Sequence, residues 1–387
     1  MKIVMTGGGS GGHTTPILAV AHEVKRQEPD AQVVYIGQKG DRFADMVSAH
    51  EVIDRSYTVR AGKFRRYNGL GWKQWFDLAT IGKNIRDAFY VLAGLWQCYR
   101  LLGKLKPDVV FCKGGFVGVP VGLAAALRHI PYVTHDSDAL PGLANRIIAR
   151  WAKAHAVALP AELYAYPKAS TFDVGVPVSH QFQFVTPALQ AQYKRELGLE
   201  KFDQVLFVTG GGLGAGRINT AMLESARELL TAFPKLCIVQ TAGHQHEAAV
   251  NAAYTKQLSP ELRERVKVYG YVNDLYRYSG AADVVVARGG ATNLAELAVQ
   301  GKACIIIPAT QLVADHQTKN ALAYADRNAI VYMHEKRLET KPAELGEAVH
   351  DLLRHPAKRA ALTKHFQAFV RPNATHDLAA LILDSAK

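Results

Sequence analysis

After Met1 the chain reads KIVM (residues 2–5), continues as TGGGSGGH (residues 6–13), and then becomes amphipathic. A short apolar run that ends in glycines is typical of a buried parallel strand. Glycine lets the backbone approach a ligand closely, and the free N–H groups at the start of a helix attract anions such as phosphate. The stretch therefore predicts a strand, a glycine loop and a helix from about Pro16, with a phosphate-binding role for the loop.

The alternation of short apolar runs with longer amphipathic stretches continues along the whole chain. Buried strands are predicted at 33–36, 109–112, 132–134, 205–208, 236–240, 266–269, 284–286 and 305–307. Such alternation predicts α/β architecture, with doubly wound parallel sheets that carry helices on both faces. Each half opens with a strand, a glycine loop and a helix. We therefore expect two Rossmann-like domains facing a cleft, residues 1–178 and 179–365, and a last helix within 366–387.

Composition and charge limit the classes of protein. The 387 residues carry 46 Lys and Arg against 34 Asp and Glu, a net charge of +12, and the four cysteines are scattered. Scattered cysteines argue against a disulfide scaffold or a zinc finger and fit a reducing compartment. No secretory signal is recognisable, and the most apolar stretch, 88–102, is too short to span a bilayer. We expect a cytoplasmic chain.

The positive charge is concentrated in one segment. Residues 60–106 hold ten basic and two acidic side chains, and the basic ones alternate with aromatic residues. This mixture suits an anionic membrane surface or a nucleic-acid backbone. A solvated helix face followed by a loop is the simpler alternative.

Three glycine loops follow predicted strands, at 7–13, 113–120 and 210–216. Together they favour a phosphate-rich ligand between the two domains over tight turns needed for packing alone. The first loop satisfies G-x-G-x-x-G, but the second predicted strand does not end in the acidic residue that a dinucleotide site uses. After strand 284–286, small residues precede Glu296, which could accept hydrogen bonds from ribose hydroxyls.

These motifs resemble those of a known family. Residues 8–13, 106–120, 282–296 and 315–321 are similar to the motifs of the UDP-N-acetylglucosamine:lipid-linked MurNAc-pentapeptide N-acetylglucosaminyltransferases (MurG), which make lipid II in peptidoglycan synthesis. The resemblance implies a metal-independent, cofactor-free inverting transferase of the GT-B architecture. It would move GlcNAc from UDP-GlcNAc to the 4-hydroxyl of MurNAc on a polyprenyl diphosphate.

The resemblance also implies partners and a location. The C-terminal half would bind UDP-GlcNAc, and the N-terminal half the lipid-linked MurNAc-peptide, with the last helix packed back on the first domain. Segment 60–106 would lie on anionic lipids, so the enzyme would be peripheral on the cytoplasmic face of the cell membrane. A cell-wall synthesis complex would be a further partner, and nucleic acid would not be one.

Individual contacts follow from the same resemblance. Uracil would bind at Val272, ribose at Glu296, and the donor sugar at Gln317, with the diphosphate at the helix start and the glycine loops. The implied substrate-binding residues are Gly9, Ser10, Gly11, Gly12, Asp138, Asn145, Gly212, Val272, Ala291, Thr292, Asn293, Leu294, Ala295, Glu296, Asp315, His316 and Gln317.

Two residues are candidates for the catalytic base that an inverting transfer needs. His13 closes the first glycine loop, and the pKa of an ordinary histidine suits proton abstraction. Asp136 follows strand 132–134 and is the rival base, or the group that orients one. Asp136 and Asp138 also form a D-x-D pattern that binds metals in other glycosyltransferases, but it lies in the acceptor half, so no metal site is expected.

Three segments depart from the family pattern. Residues 135–138 read HDSD where the family has HEQN, residues 175–179 lack the final arginine of GNPVR, and residues 210–214 lack the serine of GGSQG. Arg217 or Arg288 would have to supply the missing charge at the diphosphate. A transferase with another UDP-sugar or another lipid acceptor, and a non-catalytic nucleotide-sugar-binding scaffold, remain open alternatives.

Overall fold

The computed structural model describes residues 1–8, 11–62, 78–211, 214–310 and 315–387. These residues form two compact units. The first contains residues 1–180, 315–316 and 371–387, and the second contains 181–310 and 317–370. The end of the chain therefore belongs to the first unit.

Seven parallel strands form the sheet of the first unit within the described residues. They are β1 (Lys2–Thr6), β2 (Gln32–Gln38), β3 (Arg55–Val59), β4 (Val109–Cys112), β5 (Tyr132–Asp136), β6 (Ala154–Val157) and β7 (Thr171–Asp173). Their order is β3-β2-β1-β4-β5-β6-β7, and Ile3 lies between Val33 and Val109. The chain runs from β1 outward to β3 on one side and then crosses to β4 on the other side of β1, as in a doubly wound sheet.

Helices cover both faces of this sheet. They are α1 (Gly11–Gln27), α2 (Arg42–Ser48), α3 (Leu78–Leu105), α4 (Gly118–Leu127) and α5 (Leu143–Ile148). Because successive strand residues point to opposite faces, Ile3 packs in one core cluster with Ile17 of α1, whereas Val4 packs in another with Leu102 of α3. Alternate residues of β1 are thus buried by the helix layers on opposite faces of the sheet.

The second unit repeats the design with six parallel strands among the described residues. They are β8 (Gln204–Thr209), β9 (Leu236–Thr241), β10 (Val266–Tyr269), β11 (Val284–Ala287), β12 (Cys304–Ile306) and β13 (Val331–Tyr332), in the order β10-β9-β8-β11-β12-β13. Leu206 packs with Met222 on one face, and Phe207 packs with Leu297 on the other. The sequence-based expectation of two doubly wound α/β domains is confirmed.

The remaining helices belong mostly to this second unit. They are α6 (Pro187–Glu196), α7 (Gly216–Ala232), α8 (Glu247–Gln257), α9 (Pro260–Arg263), α10 (Leu275–Ala281), α11 (Ala291–Gln300), α12 (His316–Ala325), α13 (Arg337–Thr340), α14 (Ala343–Arg354), α15 (Pro356–Gln367) and α16 (Ala374–Ser385). Helix α16 returns to the first unit, where Leu378 and Ile382 join the core cluster of α1. No helix among the described residues is long and apolar enough to cross a membrane.

The structure also contains elements that the sequence patterns did not predict. Strands β3, β6, β7 and β13 were not predicted, and α1 begins at Gly11, earlier than the expected start at Pro16. Strand β3 lies at the edge of its sheet, and most of its residues are at least partly exposed, so it has no apolar run. Strands β7 and β13 have three and two residues, too few to show a pattern.

The first and fourth strands bring two glycine loops into contact. The amide of Lys113 donates to the carbonyl of Thr6 over 2.9 Å, so the chain leaves β1 and β4 side by side. Gly115 has a φ of +80°, and a Cβ atom added to it would lie 2.3 Å from the carbonyl oxygen of Gly8. A side chain at Gly115 would therefore force the two loops apart.

Gly115→Ala is expected to destabilise the protein more than Gly40→Ala. Both glycines have φ near +80°, but a Cβ atom at Gly40 meets nothing within 4 Å. Gly40→Ala should therefore cost only the left-handed backbone penalty, about 1–2 kcal/mol, and Gly115→Ala at least about 1 kcal/mol more. Urea unfolding of both variants measures the difference, and equal losses would contradict the close approach.

Candidate functional site

In the first unit, Asp136 lies at the carboxyl end of β5 and is buried. Its Oδ1 atom accepts hydrogen bonds from the Gly142 amide and from Asn145 Nδ2, each over 3.0 Å. Its Oδ2 atom accepts one from the Tyr166 hydroxyl over 2.7 Å. This carboxyl group therefore forms hydrogen bonds with the loop after β5, with helix α5 and with the segment after β6.

The surroundings of Asp136 act on its pKa in opposite directions. Burial raises the pKa, whereas the hydrogen bonds from Tyr166, Gly142 and Asn145 and the charge of Lys113 lower it, and the net shift is upward. A carboxyl group with a raised pKa is suited to exchange protons near neutral pH. The same bonds fix its orientation, so Asp136 can serve as a base or hold one.

Lys113 is a buried cation beside Asp136 that the sequence patterns did not single out. Its Nζ atom donates to Ser137 Oγ over 2.9 Å. Burial lowers the pKa of Lys113 to about 8, although Asp138 and Asp136 act against this shift. Its position directly after strand β4, at the ligand-binding edge of a doubly wound sheet, was the signal that could have identified it.

Asn145 offers a buried acceptor at the same edge. Its Nδ2 atom donates to the His135 carbonyl over 2.9 Å as well as to Asp136, which fixes the orientation of the amide. Its Oδ1 atom is buried and meets no hydrogen-bond donor among the described residues. A buried acceptor without a donor is costly in free energy, so this atom is well placed for a hydroxyl or N–H group of a ligand.

Other predicted residues of the first unit are only partly described. Gly11, Gly12 and His13 lie in the first turn of α1, but the His13 side chain is outside the described part of the structure. Gly9 and Ser10 are outside it entirely. Asp138 is half-buried, and its carbonyl accepts a hydrogen bond from the Tyr164 hydroxyl over 3.0 Å. The structure therefore places Asp136, Asp138 and Asn145 together and leaves the placement of the His13 side chain as a prediction.

In the second unit, helix α11 begins directly after β11 and the pair Gly289-Gly290. Thr292 and Glu296 are buried, and Ala291 and Ala295 are half-buried. Two residues of the predicted set contact the protein itself. Leu294 packs in the core, and Asn293 Nδ2 donates to the Arg288 carbonyl over 3.1 Å. The helix start therefore presents mainly backbone N–H groups and small side chains, which suits an anion.

Glu296 is a buried acid one turn into α11. Burial raises its pKa to about 8. The pKa of Tyr271 is raised by burial and by the charge of Glu296, so the two side chains interact electrostatically. Tyr271 precedes the half-buried Val272. The segment predicted to bind uracil therefore begins within electrostatic range of the residue predicted to bind ribose.

The predicted sugar-binding residues are divided between the two units. Gln317 belongs to the second unit, where its Oε1 atom accepts a hydrogen bond from the Ala309 amide over 2.9 Å, whereas Asp315 and His316 group with the first unit. Asn320 Nδ2 donates to the Gly289 carbonyl over 3.3 Å, which links α12 to the loop before α11. Gly212 lies outside the described residues.

Arg217 and Arg288, the candidates for the missing positive charge, both contact Glu335. Arg288 Nη2 lies 2.6 Å from Glu335 Oε1, and Arg217 Nη1 lies 3.0 Å from Oε2. Arg217 Nη2 also lies 2.6 Å from Glu339 Oε1. No sequence motif pointed to Glu335. Within the described residues, no group of three or more His, Cys, Asp or Glu side chains could hold a metal ion.

Comparison with known proteins gives the family. The N-terminal domain model of glycosyltransferase family 28 matches residues 3–157, and the C-terminal domain model matches residues 205–378. The UDP-N-acetylglucosamine–N-acetylmuramyl-(pentapeptide) pyrophosphoryl-undecaprenol N-acetylglucosamine transferase of Moorella thermoacetica is 31% identical over the full length of both chains. That of Salinibacter ruber is also 31% identical, over 98% of this chain and 96% of its own.

The chain belongs to this N-acetylglucosaminyltransferase family. As a member of glycosyltransferase family 28, it is a glycosyltransferase with two Rossmann-like domains. The crystal structure of Acinetobacter baumannii MurG matches with a TM-score of 0.70 and 23% identity over 99% of both chains. A UDP-GlcNAc 2-epimerase from Neisseria meningitidis bound to UDP-GlcNAc matches with a TM-score of 0.64 and 13% identity, over 99% of this chain and all of that one. Both structures share the fold.

Glu296→Gln is expected to stabilise this transferase increasingly as the pH rises. The folded-state pKa of Glu296 is raised from 4.5 to about 8, so between these values the unfolded state loses the proton and the folded state keeps it. Burying Glu296 therefore costs more at pH 8 than at pH 5, a cost that glutamine avoids. The gain should grow by at least about 1 kcal/mol over this window.

Urea unfolding at pH 5, 6.5 and 8 measures this effect. The exposed Glu224 on α7 provides the control, because Glu224→Gln should change the free energy of unfolding equally at all three values. A stability difference for Glu296→Gln that does not vary with pH would contradict the raised pKa.

Proposed function

We propose that this chain transfers GlcNAc from UDP-GlcNAc to the 4-hydroxyl of MurNAc in a polyprenyl-diphosphate-linked muropeptide, with inversion at the sugar carbon. The observation that carries the proposal is the buried Glu296 one turn into α11, with Tyr271 within its electrostatic range. A buried acid for ribose, an aromatic segment for the base and a helix N-terminus for phosphate are the three elements that recognise a nucleoside diphosphate.

The donor half would stabilise the departing diphosphate in part through uncharged backbone groups. Backbone N–H groups at the start of α11 and the dipole of the helix favour negative charge there. Ala291 and Thr292 provide the amides, and Glu296 would accept hydrogen bonds from the ribose hydroxyls. Because Gln317 Oε1 is occupied by the Ala309 amide, its Nε2 donors would bind the sugar.

The acceptor half would supply the base. In the proposed reaction the MurNAc 4-hydroxyl loses its proton to the base, its oxygen forms the new bond to the sugar carbon, and the bond from that carbon to the diphosphate breaks. His13, in the first turn of α1, and Asp136, held by Tyr166 and Asn145, are the candidates for this base. The unpartnered Oδ1 atom of Asn145 would accept a hydrogen bond from the acceptor.

His13→Ala and Asp136→Asn are expected to lower turnover with UDP-GlcNAc and the lipid-linked MurNAc-peptide by about 100-fold or more, the usual contribution of a general base. The controls are His355→Ala and Asp384→Asn, which alter exposed residues outside the candidate site. Single-turnover and steady-state assays with both substrates measure the effect. If both site variants kept wild-type turnover, the catalytic assignment would be wrong.

Donor binding and turnover, measured together, separate the alternative functions. A thermal-shift titration with UDP-GlcNAc, UDP-glucose and UDP-GalNAc ranks the donors, and no shift with UDP-GlcNAc would favour another UDP-sugar. Binding of UDP-GlcNAc without turnover on any lipid acceptor would favour a non-catalytic scaffold. The departures at 175–179 and 210–214 are the reason to test the donor directly.

A membrane surface on α3 fits a lipid-linked acceptor. Four large apolar side chains are each more than half exposed: Ile85, Phe89, Leu92 and Trp96. Their spacing of four, three and four residues places them on one face of the helix. Arg100 stacks on Trp96 at 4.9 Å, so this face combines apolar and cationic groups as an anionic lipid surface requires. The predicted basic residues 63–77 lie outside the described residues.

Replacing Phe89 and Trp96 by serine should weaken binding to anionic vesicles by about tenfold or more, because burial of one large apolar side chain contributes about 1.5–3 kcal/mol. Leu163→Ser with Phe172→Ser is the matched control, since both residues are exposed in the same unit away from α3. Co-sedimentation with phosphatidylglycerol-containing and purely zwitterionic vesicles measures the effect. Equal binding of the α3 variant and the wild type would contradict this membrane surface.

A further inference from the structure

We propose that Glu335 is a positioning residue for the donor diphosphate, and that it holds Arg217 and Arg288 as a pair that takes the place of the arginine missing from residues 175–179. The inference rests on the proposed function, because it assigns the pair to the diphosphate of a UDP-sugar. The proposal assigns a role to the ion network of Glu335, Arg217 and Arg288, which takes no part in the proton transfer at the acceptor.

The network joins four loops at one edge of the second sheet. Glu335 follows β13, and its side chain is only 4% exposed. It contacts Arg217 in the first turn of α7, Arg288 directly after β11, and the Thr310 amide after β12, the last over 3.3 Å. One carboxylate thus fixes the loops that follow three other strands of the same sheet.

Both arginines lie beside the segments that would bind phosphate. Arg217 follows the glycine loop 210–214, and Arg288 lies three residues before Ala291, where α11 begins. Because β8 and β11 are neighbours in the sheet, the two loops leave its carboxyl edge side by side. The arginines therefore flank the point where the strand order reverses, which is where doubly wound folds bind their ligands.

The network holds both arginines against one ionised carboxylate. Burial raises the pKa of Glu335, but the hydrogen bond and charge of Arg288, the Thr310 amide and Arg217 outweigh it, and the pKa is lowered. Glu335 is thus ionised at neutral pH. A guanidinium has five N–H donors, so each arginine keeps donors beyond its contacts in this network. Arg217, 34% exposed against 14% for Arg288, is the more accessible of the two.

This arrangement predicts that loss of the ion network weakens binding of the diphosphate and leaves binding of the nucleoside unchanged. Uridine would be recognised through Glu296 and the segment 271–272, which are not part of the ion network. UDP gains the two phosphates that the arginines would contact through charge-assisted hydrogen bonds. The ratio of the affinities for UDP and uridine therefore isolates the contribution of the network, which a merely structural role of Glu335 would leave unchanged.

Isothermal titration of the full-length protein with UDP and with uridine tests the proposal. Arg217→Ala and Glu335→Gln should each weaken UDP binding by about tenfold or more and change uridine binding by less than about twofold. Arg337→Ala is the matched control, because Arg337 forms an exposed ion pair with Glu344 over 2.7 Å in the same unit. This control should bind both ligands like the wild type.

A double variant shows whether Glu335 acts through Arg217. Combining Arg217→Ala with Glu335→Gln should weaken UDP binding by less than the product of the single effects, since both changes remove parts of one interaction. Multiplicative effects, or wild-type ratios of UDP to uridine affinity in the single variants, would overturn the inference. If Glu335→Gln does not fold, Arg217→Ala alone decides. A wild-type protein that binds neither ligand would overturn the proposed function itself.

Discussion

The pairing of β1 with β4 and of β8 with β11 is the constraint on which the rest of the structure depends. Parallel strands need crossover connections, and at these two pairs the crossovers pass to opposite sides, so the loops that follow neighbouring strands leave the sheet together. In the first unit this adjacency brings Gly115 against Gly8. In the second it places Arg217 and Arg288 on one carboxylate. The candidate residues are close together because of the strand order.

Both units use a buried carboxyl group to hold loops at these edges. Asp136 and Glu335 each bind donors from several loops, and thereby convert the ends of separate strands into one fixed arrangement. Burial raises the pKa of Glu296 to about 8 and also dominates at Asp136, whose pKa is raised despite its donors. At Glu335 the two arginines and the Thr310 amide outweigh burial, and the pKa is lowered. The comparison separates Glu335, which is paired with two arginines, from the two acids at which burial dominates the pKa.

The sequence predicted the fold well and the site incompletely, for physical reasons. Buried central strands such as β4 have continuous apolar runs, and glycine loops have a recognisable spacing, so both can be read from local patterns. The edge strand β3 lacks an apolar run because much of it faces solvent. Glu335 and Tyr166 could not be found, because each acts on residues tens of positions away and belongs to no motif. The patterns identified Arg217 and Arg288 as cations, but not the carboxylate that they share.

Cocrystallisation with UDP-GlcNAc is the measurement that tests the central claim most directly, because that claim places the donor at the carboxyl edge of the second sheet. We expect the ribose hydroxyls within hydrogen-bond distance of Glu296, the uracil against the segment 271–272, and the diphosphate at the start of α11. A nucleotide bound instead at the glycine loop that follows β1 in the first unit, with Glu296 unoccupied, would contradict the account.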